Sequence, residues 1–85
     1  MNYEMKTTRI KQILRDENPD VILPDGMDEA LLGICRNNNT IGVYSYLKSI
    51  ELLVKNGLTE EQALEEHIFS YKGDNCPIYI DDTGV

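Results

Sequence analysis

Two stretches of apolar residues at helical spacing meet at residues 56–59, whose sequence is Asn-Gly-Leu-Thr. An Asn-Gly pair is typical of a helix C-terminus, because glycine readily takes the left-handed conformation that ends a helix. The helix before this pair is predicted to begin after Ser45, whose hydroxyl can cap the first turn. Its apolar face consists of Leu47, Ile50, Leu53 and Val54.

The second helix of the pair is predicted to begin at Thr59. Thr59 and Gln62 have the spacing of a capping box, in which each side chain accepts a hydrogen bond from the other residue's backbone N–H. The helix is predicted to continue to Tyr71, with Phe69 pointing away from its apolar face. That face consists of Ala63, Leu64, His67, Ile68 and Tyr71.

A shorter helix is predicted near the N-terminus, capped by Thr7 or Thr8 and ending near Asp16, after a frayed end over residues 1–5. Its apolar stripe, at i, i+3, i+4 spacing, consists of Ile10, Ile13 and Leu14. The pattern leaves two arrangements open for this basic arm, residues 1–18. The arm could cap the core, or it could extend outward and be ordered only by a partner.

Four short extended segments are predicted outside the helices, the first at residues 20–23, before a tight turn at residues 24–26. Residues 30–36 are ambiguous because Asp28 could open a helix, but the glycine within them and the asparagines at 37–39 favour a strand. Residues 41–44 are then its hairpin partner, since asparagine tolerates the positive φ of tight turns. Residues 77–80 are predicted to form a final strand, whose initial proline suits a sheet edge.

These elements predict a single α+β domain over residues 19–85, preceded by the N-terminal arm. The sheet is expected to be small and antiparallel, formed by the hairpin and the C-terminal strand, and packed against the two consecutive helices. A chain of 85 residues buries only about 60–65% of its unfolded surface, so no deep active site is expected. A three-stranded sheet has open edges, which favours self-association into a dimer.

The charge is unevenly distributed along the chain. The formal net charge is −7, but residues 1–15 carry four basic residues and one acidic residue, so the remainder carries −10. An acidic protein repels phosphate backbones and favours basic partners. We therefore expect a protein partner rather than nucleic acid.

The cysteines and the apolar runs indicate where the chain is located. No run has the length of a signal peptide or a membrane span, so a cytoplasmic location without membrane contact is expected. Cys35 and Cys76 are the two cysteines, and in a reducing cytoplasm both are expected to remain free thiols.

Few residues suggest catalysis or metal binding. A nucleophilic site would need Cys35 or Cys76 beside His67 and an acid such as Asp74, but a helical turn and a loop separate Cys76 from His67. One histidine and two distant cysteines do not match zinc-ligand spacing, and no glycine-rich phosphate loop is present. The sequence therefore predicts a protein that is not an enzyme and has no catalytic residue, metal or cofactor.

Tyrosines gather at the predicted strand–helix junctions of a chain with one Phe and no Trp. Tyrosine suits binding surfaces because its rigid ring carries a polar hydroxyl. Half-exposed tyrosines also simply line the core edge of many small domains. The candidate residues for binding a partner or ligand are Tyr44, Tyr46, Tyr71, Lys72, Asp74, Asn75 and Tyr79.

Four segments carry a family resemblance through their order and spacing: residues 23–33 (LPDGMDEALLG), 43–48 (VYSYLK), 57–65 (GLTEEQALE) and 73–79 (GDNCPIY). Together they resemble a family of small phage- and prophage-encoded proteins of unassigned function. The chain departs from the family pattern at Ser45, where an acidic residue is usual, and at Cys76, where threonine is usual. The resemblance implies a phage origin, hence the cytoplasm of a host cell, and a small α+β domain. It implies no chemistry.

Two functions are consistent with these observations. The first is a non-enzymatic binding protein that acts on a host or phage macromolecule, with inhibition of a host defence as one expected role. The alternative is an oligomeric protein that binds nucleotide signals, in which aromatic rings stack on the base. Arg36, Lys48, Lys72 or the basic N-terminal arm would then neutralise the phosphate.

Overall fold

The computed structural model describes residues 3–84, with side chains described from Lys6 onward. Its elements, in chain order, are α1 (Tyr3–Glu17), a 3-10 turn (Asp28–Ala30), β1 (Leu31–Arg36), β2 (Thr40–Ser45), α2 (Tyr46–Lys55), α3 (Glu60–Ala63), a π-helical turn (Leu64–Ile68) and β3 (Ile78–Ile80). The predicted α+β class is confirmed.

The N-terminal helix is longer than predicted. It begins by Tyr3 rather than at Thr7 or Thr8, because no glycine or proline interrupts the preceding residues. Thr7 is therefore inside the helix, where it is buried rather than capping. Leu14 is fully buried and α1 packs on both hairpin strands, so the arm caps the core. Residues 1–2 of the predicted frayed end lie outside the described residues.

The ambiguous segment at residues 30–36 is a strand, and the predicted hairpin is confirmed. β1 and β2 pair antiparallel, from Leu31 opposite Tyr44 to Arg36 opposite Thr40. The register shifts between Leu31 and Gly33, which leaves Leu32 as the extra residue of a β-bulge. This bulge decides which side chains of β1 face the helices.

The third strand runs parallel to β2, so the prediction of a wholly antiparallel sheet is wrong. Val43 lies opposite Ile78 and Ser45 lies opposite Ile80, with β2 at the centre of the sheet. The connection from β2 to β3 contains α2, α3 and the π-helical turn, which is long enough to return the chain to the end where β2 starts. β3 is an edge strand in the described sheet, as Pro77 predicted.

The turn chemistry of the helical pair is confirmed. Ser45 Oγ accepts a hydrogen bond from the Lys48 N–H at 3.0 Å and so caps α2. Gly57 has φ +102°, and α2 closes with the Leu58 N–H donating to the Leu53 carbonyl at 3.2 Å. The capping box joins Thr59 and Gln62 through bonds of 2.9 and 3.1 Å. These bonds fix the angle between α2 and α3.

The second helix of the pair is not the single α-helix predicted to Tyr71. α3 ends at Ala63, and the chain then widens into a π-helical turn, in which the Phe69 N–H donates to the Leu64 carbonyl at 2.8 Å. The wider turn keeps Ile68 in the core and leaves Phe69 60% exposed, as its predicted outward direction requires. A capping signal at Thr59 indicates where this helix begins but not how its later turns are wound.

The helices pack on one face of the sheet, which we name the inner face. Its central side chain is that of Tyr44, which is 1% exposed. Gly42 is also on this face, and the Leu14 side chain of α1 lies over it. The surrounding core consists of Met27, Ala30, Leu31, Ile50, Leu53, Ala63 and Ile68.

Polar contacts fasten the end of α1 to the hairpin. Arg36 donates two hydrogen bonds of 2.7 Å to the Glu17 carboxylate, and the Thr40 hydroxyl donates a third at 3.1 Å. The bonds from Arg36, aided by that from Thr40, lower the pKa of Glu17 to about 2. This ion pair joins elements that are far apart in sequence, so it helps to hold α1 against the inner face.

Candidate functional site

The sheet face opposite the helices is apolar, and we name it the outer face. Side chains alternate along a strand, so those beside Tyr44 and Gly42 on β2 point away from the helices. The register then places their neighbours on β1 and β3 on the same side. The apolar side chains of the outer face are Leu32, Cys35, Ile41, Val43, Ile78 and Ile80.

These six side chains are open to solvent to different degrees. Leu32 is 47% exposed, Ile78 is 42% exposed and Ile80 is 47% exposed, while the other three are half-buried. None of the six carries a charge. A contiguous apolar surface of this kind marks an interaction site more often than a scattered set of single residues does.

One acidic residue lies in the loop before β3 and another directly follows the strand. Asp74 is exposed and makes no ion pair among the described residues. Asp81 is also exposed, and its carboxylate accepts hydrogen bonds from the Thr83 hydroxyl and N–H, which lower its pKa. The outer face therefore has an apolar centre with negative charge beside its edge strand.

The next carboxylate, that of Asp82, fastens the C-terminal segment to the start of α2. It accepts a 2.6 Å bond from the Ser45 hydroxyl and a 3.0 Å bond from the Leu47 N–H. These bonds lower the pKa of Asp82. No short-range pattern shows that a residue 37 positions from Ser45 meets it.

Three of the predicted tyrosines meet on the inner side of the sheet. The rings of Tyr44 and Tyr79 have centroids 5.8 Å apart and are tilted by 39°. Burial raises the pKa of both, with smaller contributions from Tyr71 and, for Tyr44, from Asp28. Tyr44 is a core residue and is closed to a surface partner, whereas Tyr71 and Tyr79 are half-buried.

The hydroxyl of Tyr79 has no hydrogen-bond partner among the described residues. Its oxygen exposes less than 1 Å². A buried polar group without a partner costs about 1–3 kcal/mol, and such groups are uncommon in native proteins. This hydroxyl is therefore a feature that the packing of the core alone does not explain.

A concavity of about 230 Å³ lies beside Tyr79, and we name it the tyrosine concavity. One wall is the turn that contains Asp25 and Met27, and another is formed by His67 and Tyr71 at the end of the helical pair. Its remaining lining residues are Pro24, Leu53 and Tyr79. The lining has one carboxylate and no lysine or arginine.

A second concavity, of about 280 Å³, lies between the hairpin loop and the loop before β3, and we name it the loop concavity. Both free cysteines line it, with Cys76 buried and Cys35 half-buried. Asp74 is its charged lining residue. His67 lines the tyrosine concavity instead, and no hydrogen bond joins it to Cys76. The nucleophilic pair considered from the sequence is therefore not assembled in the described residues.

Asn75 has a structural task that the sequence did not reveal. Its side-chain oxygen accepts hydrogen bonds from the side chains of Asn18, at 3.0 Å, and Asn39, at 3.3 Å. Its carbonyl accepts from the Ile22 N–H at 2.9 Å. These bonds hold the loop before β3 against the end of α1 and the hairpin turn, so Asn75 positions the loop concavity.

The other predicted site residues are separated. Tyr46 is half-buried and packs against the core at the start of α2. Lys72 is exposed and lines neither of these concavities. Only Tyr71 lines both. The predicted set of seven therefore does not form one patch: it divides into core, concavity and loop residues.

Sequence reasoning missed the outer face, although a signal for it was present. The segments Ile41–Tyr44 and Ile78–Ile80 are apolar at almost every position rather than at alternate ones. Strands of that composition are typical of sheets covered on both faces. From the sequence, only the helices could be assigned as a layer that packs on the sheet, and they account for one of its two faces.

The fold and these surfaces are the observations from which a function can be argued. Among residues 3–84, no helix combines the length and the apolar character needed to cross a membrane. No protein-family model, no curated protein and no solved structure matches this chain.

Proposed function

We propose that this chain is a non-enzymatic binding protein of phage type whose outer face docks on a protein of the host or the phage. Inhibition of a host defence is the role we assign to that contact. The observation that carries the proposal is the apolar outer face, with Leu32, Ile78 and Ile80 each more than two-fifths exposed.

The charges select the chemistry of the partner. Asp74 lies in the loop before β3 and Asp81 directly follows the strand, and the chain as a whole has a net charge of −7. A basic rim on the partner would complement these groups, whereas a nucleic acid or an acidic protein would be repelled. The partner is therefore a protein surface with an apolar centre and lysine or arginine around it.

The outer face alone is smaller than a stable interface, so the partner is expected to contact more than the strands. A stable interface takes about 800 Å² from each partner, which is about a seventh of the 5649 Å² surface of this chain. Six partly exposed side chains supply less than that. The partner must then also cover the flanking loops, where Asp74 is exposed.

The experiment is affinity capture from host lysate with the wild type and two matched variants. The double variant Ile78→Ser, Ile80→Ser removes apolar side chains from the outer face, and Phe69→Ser removes one from the helical side, where Phe69 is 60% exposed. We expect a partner that the wild type and Phe69→Ser capture equally and the double variant does not. Its retention should weaken as salt rises, because the rim contacts are electrostatic.

Two results would count against this proposal. A partner retained equally by all three proteins would bind elsewhere, and no specific partner at low or physiological salt would leave the outer face without its occupant. The predicted homodimer is resolved by measuring mass in solution. A doubled mass in the wild type that falls to one chain in the double variant would assign the outer face to a second copy.

The nucleotide-binding alternative receives no support from the two concavities. Their charged lining residues are Asp25 and Asp74, and no lysine or arginine lines either. A phosphate would enter a negative field at both places. A thermal-shift series with cyclic and linear nucleotides tests this alternative directly, and a flat response is expected.

A further inference from the structure

The tyrosine concavity is a separate feature from the outer face. Tyr79 projects to the inner side of the sheet, whereas Ile78 and Ile80, its neighbours on β3, project to the outer side. A molecule in the concavity would therefore leave the outer face open. Whatever this concavity binds is independent of the proposed protein partner.

Tyr79 forms part of the lining of the concavity, and its hydroxyl has no hydrogen-bond partner among the described residues. Burial raises the pKa of Tyr79, so the hydroxyl keeps its proton and can both donate and accept. The half-buried Tyr71 lines the same concavity. A ligand that reaches the Tyr79 hydroxyl would give it the partner that it lacks among these residues.

The π-helical turn forms part of the wall of the concavity. Such turns are rare, and this one ends the helix that begins at Thr59 rather than interrupting it. Here the turn Leu64–Ile68 carries His67 to the concavity wall, and Tyr71 follows three residues after the turn ends. The departure from regular helix therefore occurs where the helical pair lines the concavity.

The charge and the rings of the lining define the ligand. Asp25 is exposed and makes no ion pair among the described residues, so its carboxylate can take an ammonium group. The faces of tyrosine rings also attract cations and stack on planar groups. A volume of about 230 Å³ equals that of about seven or eight liquid water molecules, which suits one aromatic ring with a short side chain.

We infer that the tyrosine concavity binds a small aromatic amine. The ring lies against Tyr71, the ammonium group pairs with Asp25, and a polar substituent on the ring hydrogen-bonds to the Tyr79 hydroxyl. Molecules that carry a carboxylate or phosphate in place of the ammonium group are excluded by Asp25.

Three probes of nearly the same size test each contact by nuclear magnetic resonance titration of the full chain. Tyramine has the ring, the ammonium group and a hydroxyl. Phenethylamine lacks the hydroxyl, and 3-(4-hydroxyphenyl)propionate carries a carboxylate instead of the ammonium group. We expect saturable backbone shifts with tyramine, confined to residues 24–27, 53, 67–71 and 79, weaker binding of phenethylamine, and no saturation with the propionate.

Variants assign the contacts. Asp25→Asn should weaken tyramine binding about two- to fivefold, as expected for an exposed ion pair. Tyr79→Phe should weaken tyramine about two- to tenfold and leave phenethylamine unchanged, since only tyramine can pair with the hydroxyl. Phe69→Ala and the Ile78→Ser, Ile80→Ser double variant should bind tyramine as the wild type does, because these side chains lie outside the lining.

The inference is overturned if tyramine gives no saturable shifts, if its shifts map to other residues, or if the propionate binds as well as tyramine. It is also overturned if Tyr79→Phe weakens both amines equally, since that would indicate a general change of packing. The double variant separates this inference from the proposed function. If the double variant loses the protein partner but binds tyramine as the wild type does, the partner and tyramine bind at two separate sites. The outcome for the partner and the outcome for tyramine can then be judged separately.

Discussion

The two faces of the sheet are both apolar, but only one is covered among the described residues. On the inner face Leu31 and Tyr44 are at most 4% exposed beneath the helices. On the outer face Ile78 and Ile80 are more than two-fifths exposed. A sheet with one solvated face normally alternates apolar and polar residues. The missing alternation in β2 and β3 is the pattern of a sheet with two covered faces, and among the described residues only the inner face is covered.

The edges of the sheet, unlike the outer face, carry features that oppose association. β1 carries a bulge at Leu32, and β3 is three residues long and follows Pro77. Bulges, short strands and proline are devices that oppose pairing with the edge of another sheet. They therefore oppose the edge-to-edge pairing on which the prediction of a dimer rests.

The largest expected difference between the faces comes from truncating one side chain on each. Leu14 is fully buried over the inner face, so Leu14→Ala should lower the free energy of unfolding by about 2–5 kcal/mol. Ile80→Ala, at a residue that is 47% exposed, should cost less than about 1 kcal/mol. Urea unfolding followed by circular dichroism measures both. Similar losses in the two variants would show that the outer face is as well packed as the inner one.

Substituting one glycine on each face by alanine should give a smaller difference in the free energy of unfolding. A Cβ on Gly42 would lie 2.9 Å from Tyr44 Cε1 and 3.4 Å from Leu31 Cδ1, so Gly42→Ala should cost about 1–3 kcal/mol. A Cβ on Gly33 meets no atom within 4 Å. Gly33→Ala should therefore leave stability unchanged or raise it by about 0.4–1 kcal/mol.

The same unfolding assay decides this prediction, with the two alanine variants as controls for each other. Their substitutions are chemically identical and differ only in the face of the sheet. If Gly33→Ala proved as destabilising as Gly42→Ala, the added methyl group would have to meet packed atoms on the outer face. The assigned difference between the faces would then be wrong.

The parts of this fold that depend on short stretches could be predicted, and those that depend on distant contacts could not. The cap at Ser45 and the capping box at Thr59 act within three residues, so local sequence determines them. The direction of β3 depends on the path of the whole connection from β2. The bulge at Leu32 is visible only once the register with β2 is known.

The candidate site shows the same division. Tyr71, Lys72, Asp74, Asn75 and Tyr79 are predicted binding residues, and of these Tyr71 lines both concavities. Tyr44 was expected at the surface because it ends a strand, but the alternation of β2 turns it inward beside Gly42. Asn75 is a predicted ligand-binding residue, but its side-chain oxygen accepts hydrogen bonds from the side chains of Asn18 and Asn39. A list of polar residues does not reveal which of them other parts of the chain already occupy.

Acid should loosen the contact that keeps α1 over the inner face. Arg36 and Thr40 lower the pKa of Glu17 from 4.5 to about 2 in the folded chain. A lowered pKa stabilises the fold above the unfolded value, so this stabilisation is complete above about pH 4.5. It is lost as the pH falls through about 2.

The test is urea unfolding of the wild type and Glu17→Gln at several pH values between 6 and 2. The variant should be less stable at pH 6, and the difference should shrink as the pH falls below 4.5. Asp16→Asn is the matched control, because Asp16 makes no hydrogen bond or ion pair through its side chain among the described residues. A constant difference across this range would mean that the carboxylate contributes nothing through its charge.

The smallest expected effect comes from the hydroxyl of Tyr79, and its sign is informative. Ser45→Ala removes a hydroxyl that pairs with both Lys48 and Asp82, so it should cost about 1 kcal/mol. Tyr79→Phe removes a hydroxyl that pairs with nothing, so the free energy of unfolding should be unchanged or slightly higher. A loss comparable to that of Ser45→Ala would mean that the folded protein satisfies this hydroxyl with an ordered water.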